Sequence, residues 1–412
     1  MNTDAAKVLA AFKPGSTVYV QGGVGEPLAL RDILGRDPEV LANVTLTGCP
    51  IPGMNEFDYA GLHPRARFVT FMLPAAWRPS FQAGRVIVRP ASYSQIAAAF
   101  MSDPPVDLAI LQVTPPDAEG MCSFGPCSDF GPLIWRRARR RLAFVNANLP
   151  RAARGPVIPW SAIDEAVEID APYITADEAA AGGEQAIIAR RLVDLIPDGA
   201  SIQTGIGGAP AAALLGLGDR RGLVIRSGMV TPAYQALAEA GALASEGHVT
   251  GLALGPDAFV RWATQTVGFA DTTITHGAAS LLGAERLHAI NSALEVDLFG
   301  QANVEWRGGK LSSGLGGAPD FARAARRSPG GRAILALPAT AARGTVSRIV
   351  ARLDVPTVSI PRDDTDLVVT EHGVADMRGA TLDGRAEALI AIAAPDHRER
   401  LAAEWASMRR SF

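Results

Sequence analysis

The sequence predicts an α/β protein of two similar domains, each a parallel-rich sheet flanked by helices, and three observations carry that expectation. Short β-branched runs alternate with Ala/Leu-rich runs along the 412 residues. Repeated strand–helix alternation implies parallel sheets, because a parallel neighbour is reached only through a crossover that packs on a sheet face. The length fits two or three domains of ordinary size. The chain also echoes itself: residues 18–27 read VYVQGGVGEP and residues 201–210 read SIQTGIGGAP. Each is a short strand, a turn with glycines three apart (Gly22 and Gly25; Gly205 and Gly208) and a proline opening an apolar helix.

Taken in order, Ser16–Val20, Arg85–Arg89 and Asp107–Val113 read as strands, Gln185–Leu195 and Pro232–Ala240 as helices, and Arg332–Leu337 as a strand. Pro27 and Pro210 suit a first helical turn, where the missing N–H has no partner in any case. The acidic, small-residue stretch Asp170–Gly183 reads as the boundary, placing one domain at residues 1–175 and the other at 180–412.

Hydrophobic residues make up 48% of the chain and charged residues 20%, a balance that supports a large core and argues against disorder. The net charge of −3 and the absence of a basic domain exclude nucleic acid as a partner. The one dense basic run, Arg136 to Arg141, reads as a solvated helix face or a salt-bridge patch. Lys7, Lys13 and Lys310 are the only lysines, which argues against Schiff-base chemistry. Cys49, Cys122 and Cys127 form no C-x-x-C pair. Neither disulfides nor a structural zinc is expected, and a reducing cytoplasm fits. The segment around Asp4 does not resemble a signal peptide, and no run reaches the roughly 18 apolar residues of a membrane span.

A strand, a glycine-rich turn and a helix N-terminus together expose unpaired N–H groups at the positive end of the helix dipole. Such a turn receives a phosphate, carboxylate or thioester oxygen; the bland alternative is a tight turn without a ligand. GIGGAP is not G-x-G-x-x-G and lacks a ribose-binding acid, which disfavours a nicotinamide dehydrogenase. No lysine follows it, so it is not a P-loop. A further cluster, Ser312–Phe321, precedes an Ala/Arg-rich helix for which Asp320 is the expected N-cap.

At these clusters the chain resembles the acetyl-CoA hydrolase/transferase family, which includes 4-hydroxybutyrate CoA-transferase. The carrying motifs are INSALEVDLFGQ (290–301), SGLGGAPDF (313–321), GGRAIL (330–335), GTVSRIV (344–350), VTEHGVADMRG (369–379) and IAAPDHRERL (392–401). Pro115-Pro-Asp, Ser123-Phe-Gly, Ser128-Asp and Pro150-Arg151 carry it more loosely in the first half. The resemblance implies two CoA-transferase-type domains with the active site at their junction. It also implies coenzyme A or an acyl-CoA as substrate with no tightly bound cofactor, a small carboxylate as second substrate, and a homodimer or homotetramer. The family chemistry is covalent: a glutamate attacks the thioester, and a glutamyl-CoA thioester follows through a mixed anhydride. Position by position, Gly205, Ile206, Gly207, Gly208 and Ala209 match the loop that lies along CoA. Leu294 matches a CoA-contacting main-chain position, and Gly317 a glycine whose N–H faces the thioester oxygen. Glu371 matches an active-site glutamate.

The pattern breaks at the nucleophile. Where the family has H-T-E-x-x-x-D-G, this chain reads Arg226-Ser-Gly-Met-Val-Thr-Pro-Ala233, so the glutamate position falls on Gly228. The family asparagine that holds the thioester oxygen falls at or next to Gly277, and a lysine expected before Gly330-Gly331 is Pro329. Glu246 and Glu371 are the replacement carboxylates by sequence, His276 a candidate general base, and Ser227 a weaker nucleophile candidate without a G-x-S-x-G elbow. The expected function is therefore an acyl-CoA enzyme, transferring CoA between carboxylates or hydrolysing thioesters, with Glu371 and His276 as catalytic residues. The alternatives are hydrolytic carbon–carbon cleavage of a CoA-linked β-diketone and a catalytically inactive CoA-binding protein.

Overall fold

The computed structural model describes residues 3–176 and 182–412. The first half forms a seven-stranded sheet in the spatial order Val86–Val88, Arg67–Thr70, Thr45–Gly48, Thr17–Val20, Leu108–Val113, Arg140–Asn146 and Glu165–Ile169, with every neighbouring pair parallel. The second half forms a six-stranded sheet in the order Val224–Ile225, Ser201–Thr204, Leu287–Ser292, Arg332–Ala336, Leu367–Thr370 and Gly373–Asp376. Only its last pair is antiparallel. Two sheets account for the expected strands at 17–20, 86–88, 108–113 and 332–336, and the two expected helices appear at Gly183–Val193 and Pro232–Glu239.

Both faces of each sheet are covered. Val18 and Ile110 pack with Trp77 on one face of the first sheet, while Tyr19, Ala109 and Leu111 pack with Phe100 on the other. Ile202 and Ile290 pack with Leu192 on one face of the second sheet, and Leu287, Ala289 and Leu335 with Phe321 on the other. That is why Leu108–Val113, buried at all six positions, reads as an unbroken apolar run instead of an alternating one.

The two echoed turns have diverged. Gly23 and Gly25 form a buried 3₁₀ turn, and the Gly23 N–H donates to Asn55 Oδ1 at 2.9 Å. The first turn is therefore closed by the protein itself, as the ligand-free reading expects. The Arg136–Arg141 run divides between the end of the helix Gly131–Arg137 and the start of a strand. Arg140 pairs with Glu165 and Arg141 with Asp164, so it is a salt-bridge patch.

Asp320 is not an N-cap. Gly317 caps the helix Ala318–Arg327, and Asp320 lies within it. Its carboxylate reaches the other half of the molecule, accepting from Ser92 Oγ at 2.8 Å, Ser94 N at 2.9 Å and Ser94 Oγ at 2.6 Å. It thereby caps the helix Tyr93–Ser102. Main-chain bonds continue the seam between the halves: Tyr93 N to Gly316 O at 3.0 Å, Ser128 N to Gly251 O at 2.8 Å and Thr272 N to Asp129 O at 2.9 Å.

Candidate active site

Winding in each sheet reverses beside its first strand, and an open α/β sheet offers a crevice where its strand order reverses, at the carboxyl ends of its strands. In the second sheet that crevice lies between Ser201–Thr204 and Leu287–Ser292, and a cleft of about 560 Å³ occupies it. Its walls are the segments leaving three strand ends: Gly205–Ala209, Ala293-Leu294 and Leu337-Pro338. Ser313–Ala318 closes one side, and Ile51, Pro52, Met72 and Tyr93 of the first half complete it. All seven residues expected to contact CoA line this one cleft: Gly205, Ile206, Gly207, Gly208, Ala209, Leu294 and Gly317.

The glycine loop is held tightly from behind. A Cβ on Gly205 would lie 2.6 Å from Asn291 Oδ1, and one on Gly207 would lie 2.8 Å from Ser292 Oγ. Gly207 also adopts φ 150°, a conformation that side chains disfavour. The amides of Ile206 and Gly207 donate to no group among the described residues. Ile206 leaves 64% of its surface exposed at the cleft, an apolar contact face for a bound chain.

The vacancy expected beside Gly228 is filled by an imidazole. A Cβ on Gly228 would lie 2.6 Å from His276 Cε1 and 2.7 Å from Nε2, and a Cβ on Gly317 would collide with Nε2 from the other side. The ring is thus threaded between two glycines. It packs against Tyr93 with centroids 4.8 Å apart and against Phe321 at 4.9 Å. Only 3% of His276 is exposed, and burial lowers its pKa to about 3, so the ring is neutral at physiological pH. Thr275 Oγ1 donates to Asp271 O at 3.4 Å and lies 2.8 Å from His276 Nδ1. When the hydroxyl donates to that carbonyl it accepts from Nδ1–H, the tautomer that leaves a lone pair on Nε2. Gly277 accepts no side chain, since a Cβ there would collide with Thr273 O. His276 is therefore the member of that stretch that enters the site.

The other candidates lie elsewhere. Both carboxylate oxygens of Glu371 accept from the Ala339 N–H, at 3.2 and 2.9 Å. Glu371 is not part of the cleft lining; it anchors the segment that follows Pro338. Glu246 is exposed and outside the cleft. Ser227 Oγ donates to Met229 O at 2.7 Å, a turn bond. Pro329 accepts from Arg286 N and precedes the strand Arg332–Ala336, whose far end meets the cleft. Its departure from the family pattern is therefore not a change at the reacting centre.

Tyr93 and Met72 carry no sequence signal, and Asp129 is visible in the sequence only through the loose Ser128-Asp match. Asp129 is 6% exposed, its Oδ1 has no hydrogen-bond partner among the described residues, and burial raises its pKa to about 7. A Cβ on Gly251 would collide with that oxygen and lie 3.0 Å from Gly228 O. A buried carboxyl therefore stands one layer behind the Gly228 wall. Among the described residues, no cluster of three metal-binding side chains occurs, and no helix is long and apolar enough to cross a membrane.

Paired doubly wound sheets meeting at a glycine-walled cleft define a CoA-transferase-type fold. Residues 3–179 match the acetyl-CoA hydrolase/transferase N-terminal domain and residues 256–405 its C-terminal domain. The 4-hydroxybutyrate coenzyme A transferase of Clostridium kluyveri is 32% identical over 97% of this chain and 96% of its own. The crystal structure of RipA from Yersinia pestis superposes with a TM-score of 0.92 at 27% identity, covering 99% of this chain and 97% of that one. The structure of 4-hydroxybutyrate CoA-transferase from Porphyromonas gingivalis gives 0.80 at 30% identity, over the same shares. The chain belongs to the acetyl-CoA hydrolase/transferase family and is an enzyme of CoA transfer or acyl-CoA hydrolysis.

Proposed function

We propose that this enzyme acts on acyl-CoA thioesters by direct attack of water or an acceptor carboxylate, without a glutamyl-CoA intermediate. The observation that carries the proposal is the His276 ring in the space beside Gly228. Glycine has no group to form the covalent thioester, and the imidazole excludes any other side chain from that volume. The loop 205–209 takes the pantetheine arm, Leu294 flanks it, and the Gly317 N–H faces the thioester oxygen. His276 Nε2 receives the proton of the attacking water as the C–O bond forms and returns it to the CoA sulfur as the C–S bond breaks. An acceptor carboxylate instead gives a mixed anhydride and the CoA thiolate, which then attacks the acceptor carbonyl to form the new thioester. A ring this buried is a weak base alone. The oxyanion that develops as the proton arrives offsets the imidazolium charge in a low-dielectric site. Glu371 acts as a positioning residue through Ala339. The two sheets support a division into domains at 1–175 and 180–412, although residues 177–181 lie outside the described residues. A cytoplasmic homodimer or homotetramer with no tightly bound cofactor fits this reading.

Thiol release over a panel of acyl-CoAs, with and without carboxylate acceptors, tests it together with intact-protein mass after quenching. Turnover without a CoA adduct is expected, with kcat reduced by about 10²–10⁴-fold in His276→Ala. Because His276 is neutral down to about pH 3, no acid limb near pH 6.5 is expected. A CoA adduct on a carboxylate would overturn the direct mechanism. Calorimetric binding of CoA without turnover of any thioester would reassign the chain as a CoA-binding protein.

A further inference from the structure

Arg348 and Arg307 both line the cleft, and neither guanidinium has a hydrogen-bond or ion-pair partner among the described residues. For Arg307, exposed on the hairpin Trp306–Leu311, that is ordinary. For Arg348 it is not, because its side chain is half-buried. Several other partly buried arginines are matched to carboxylates, Arg31 to Glu26 at 2.6 Å, Arg326 to Asp366 at 3.0 Å, and Arg151 to Asp117. Arg226 is also half-buried without a partner among the described residues, but it lies outside the cleft lining. A guanidinium brings five donors and cannot shed its charge, so removing part of its hydration without a partner is unfavourable. Burial and the Arg307 charge both push the pKa of Arg348 down, while the carboxylates of Glu184, Glu295 and Glu371 oppose them.

The backbone at Arg348 is fixed. Its N–H donates to Ala339 O at 2.8 Å, and its carbonyl accepts from Val296 N at 2.9 Å. The side chain therefore starts from a rigid point in the cleft wall. Both arginines share that wall with the glycine loop 205–209 and Leu294.

We propose that Arg348, supported by Arg307, is an anion-binding station in the cleft wall, where it takes an oxyanion of the substrate. This rests on the acyl-CoA reading. Two parts of an acyl-CoA carry that chemistry: the phosphates of the coenzyme and a carboxylate borne by the acyl group. A planar fork of N–H donors matches either in bidentate fashion.

Calorimetry on the full chain separates the sources. CoA, dephospho-CoA and pantetheine are titrated into the wild type and into Arg348→Gln and Arg307→Ala, and succinyl-CoA is compared with acetyl-CoA. Loss of a charge-assisted pair predicts about 10- to 100-fold weaker binding for Arg348→Gln, with a smaller loss for Arg307→Ala. A loss for CoA but not pantetheine assigns a phosphate; a loss for succinyl-CoA but not acetyl-CoA assigns an acyl carboxylate. Arg348→Lys, which keeps the charge, is expected to recover part of the affinity and covers the case in which the Gln variant does not fold. Unchanged affinities, or an equal loss for pantetheine, would overturn the station while leaving the acyl-CoA reading in place. A wild type that binds no CoA would remove both.

Discussion

At the scale of single residues, the site turns on an exchange of volume between Gly228 and His276. A protein interior is close-packed, so a position that loses its side chain is filled by a neighbour or left as a costly void. Here the imidazole fills it. Gly228→Ala places a methyl 2.6 Å from the ring and is expected to destabilise by about 1–3 kcal/mol. In a His276→Ala background the same change is expected to be nearly neutral. Thermal unfolding of the four proteins in the cycle reads the coupling, and additive penalties would show that the ring is not in that space. Asp129 supplies a second residue-scale expectation. Its pKa, raised to about 7, exceeds the unfolded value of about 4, so the folded state holds the proton more tightly. Its contribution is present at low pH and is lost as pH rises from about 4 to 7. Asp129→Asn is therefore expected to raise the unfolding temperature at pH 8 relative to wild type, and the gain is expected to shrink towards pH 5. A gain independent of pH would mean that charge burial is not the cause.

At the scale of elements, one strand–turn–helix unit serves two purposes. After Thr17–Val20 the turn is plugged by Asn55 and buried; after Ser201–Thr204 it stays open to the cleft. The motif alone does not distinguish these outcomes, because what plugs the first turn comes from residue 55, more than thirty positions away. Gly207→Ala forces a Cβ into φ 150° and against Ser292 Oγ. It is expected to cost about 1–3 kcal/mol of loop strain and to weaken CoA binding measurably by calorimetry, whereas Gly15→Ala, at a positive φ far from the cleft and with open space around its Cβ, is expected to affect stability alone. Equal effects on CoA affinity would argue that loop shape does not matter for binding.

At the scale of the whole molecule, the cleft exists only because the two halves are joined. Tyr93 from the first half packs on His276 from the second, Met72 lies against Gly314 and Gly316, and Asp320 carries three hydrogen bonds across the seam. Asp320→Ala leaves Ser92, Ser94 and one amide without their acceptor. It is expected to destabilise by about 1–3 kcal/mol and to lower activity by displacing Tyr93, which Asp320 brackets through Ser92 and Ser94. Differential scanning calorimetry with steady-state kinetics checks both effects. A loss of stability with kcat untouched would show that the seam does not position the site.

The sequence alone determined the fold class, the succession of strands and helices, and the loop 205–209 and glycine 317 as cleft-facing. The fold class and the succession of elements rest on local pattern, since β-branched runs, glycine spacing and helix-opening prolines act within a few residues of themselves. The roles of the loop and of Gly317 rest on the resemblance to the family's motifs. Through the same resemblance the sequence set the expectation that Gly228 stands at the family's glutamate position. Only the tertiary structure decided what occupies the space beside Gly228, and that Glu371, Glu246 and Pro329 lie outside the cleft lining. Volume exclusion, burial and charge pairing are settled between residues far apart in the chain. His276 enters the space of residue 228 across 48 positions, Asp320 caps a helix more than two hundred residues upstream, and Arg348, inside a motif visible in the sequence, shows its unmatched charge only once its neighbours are in place.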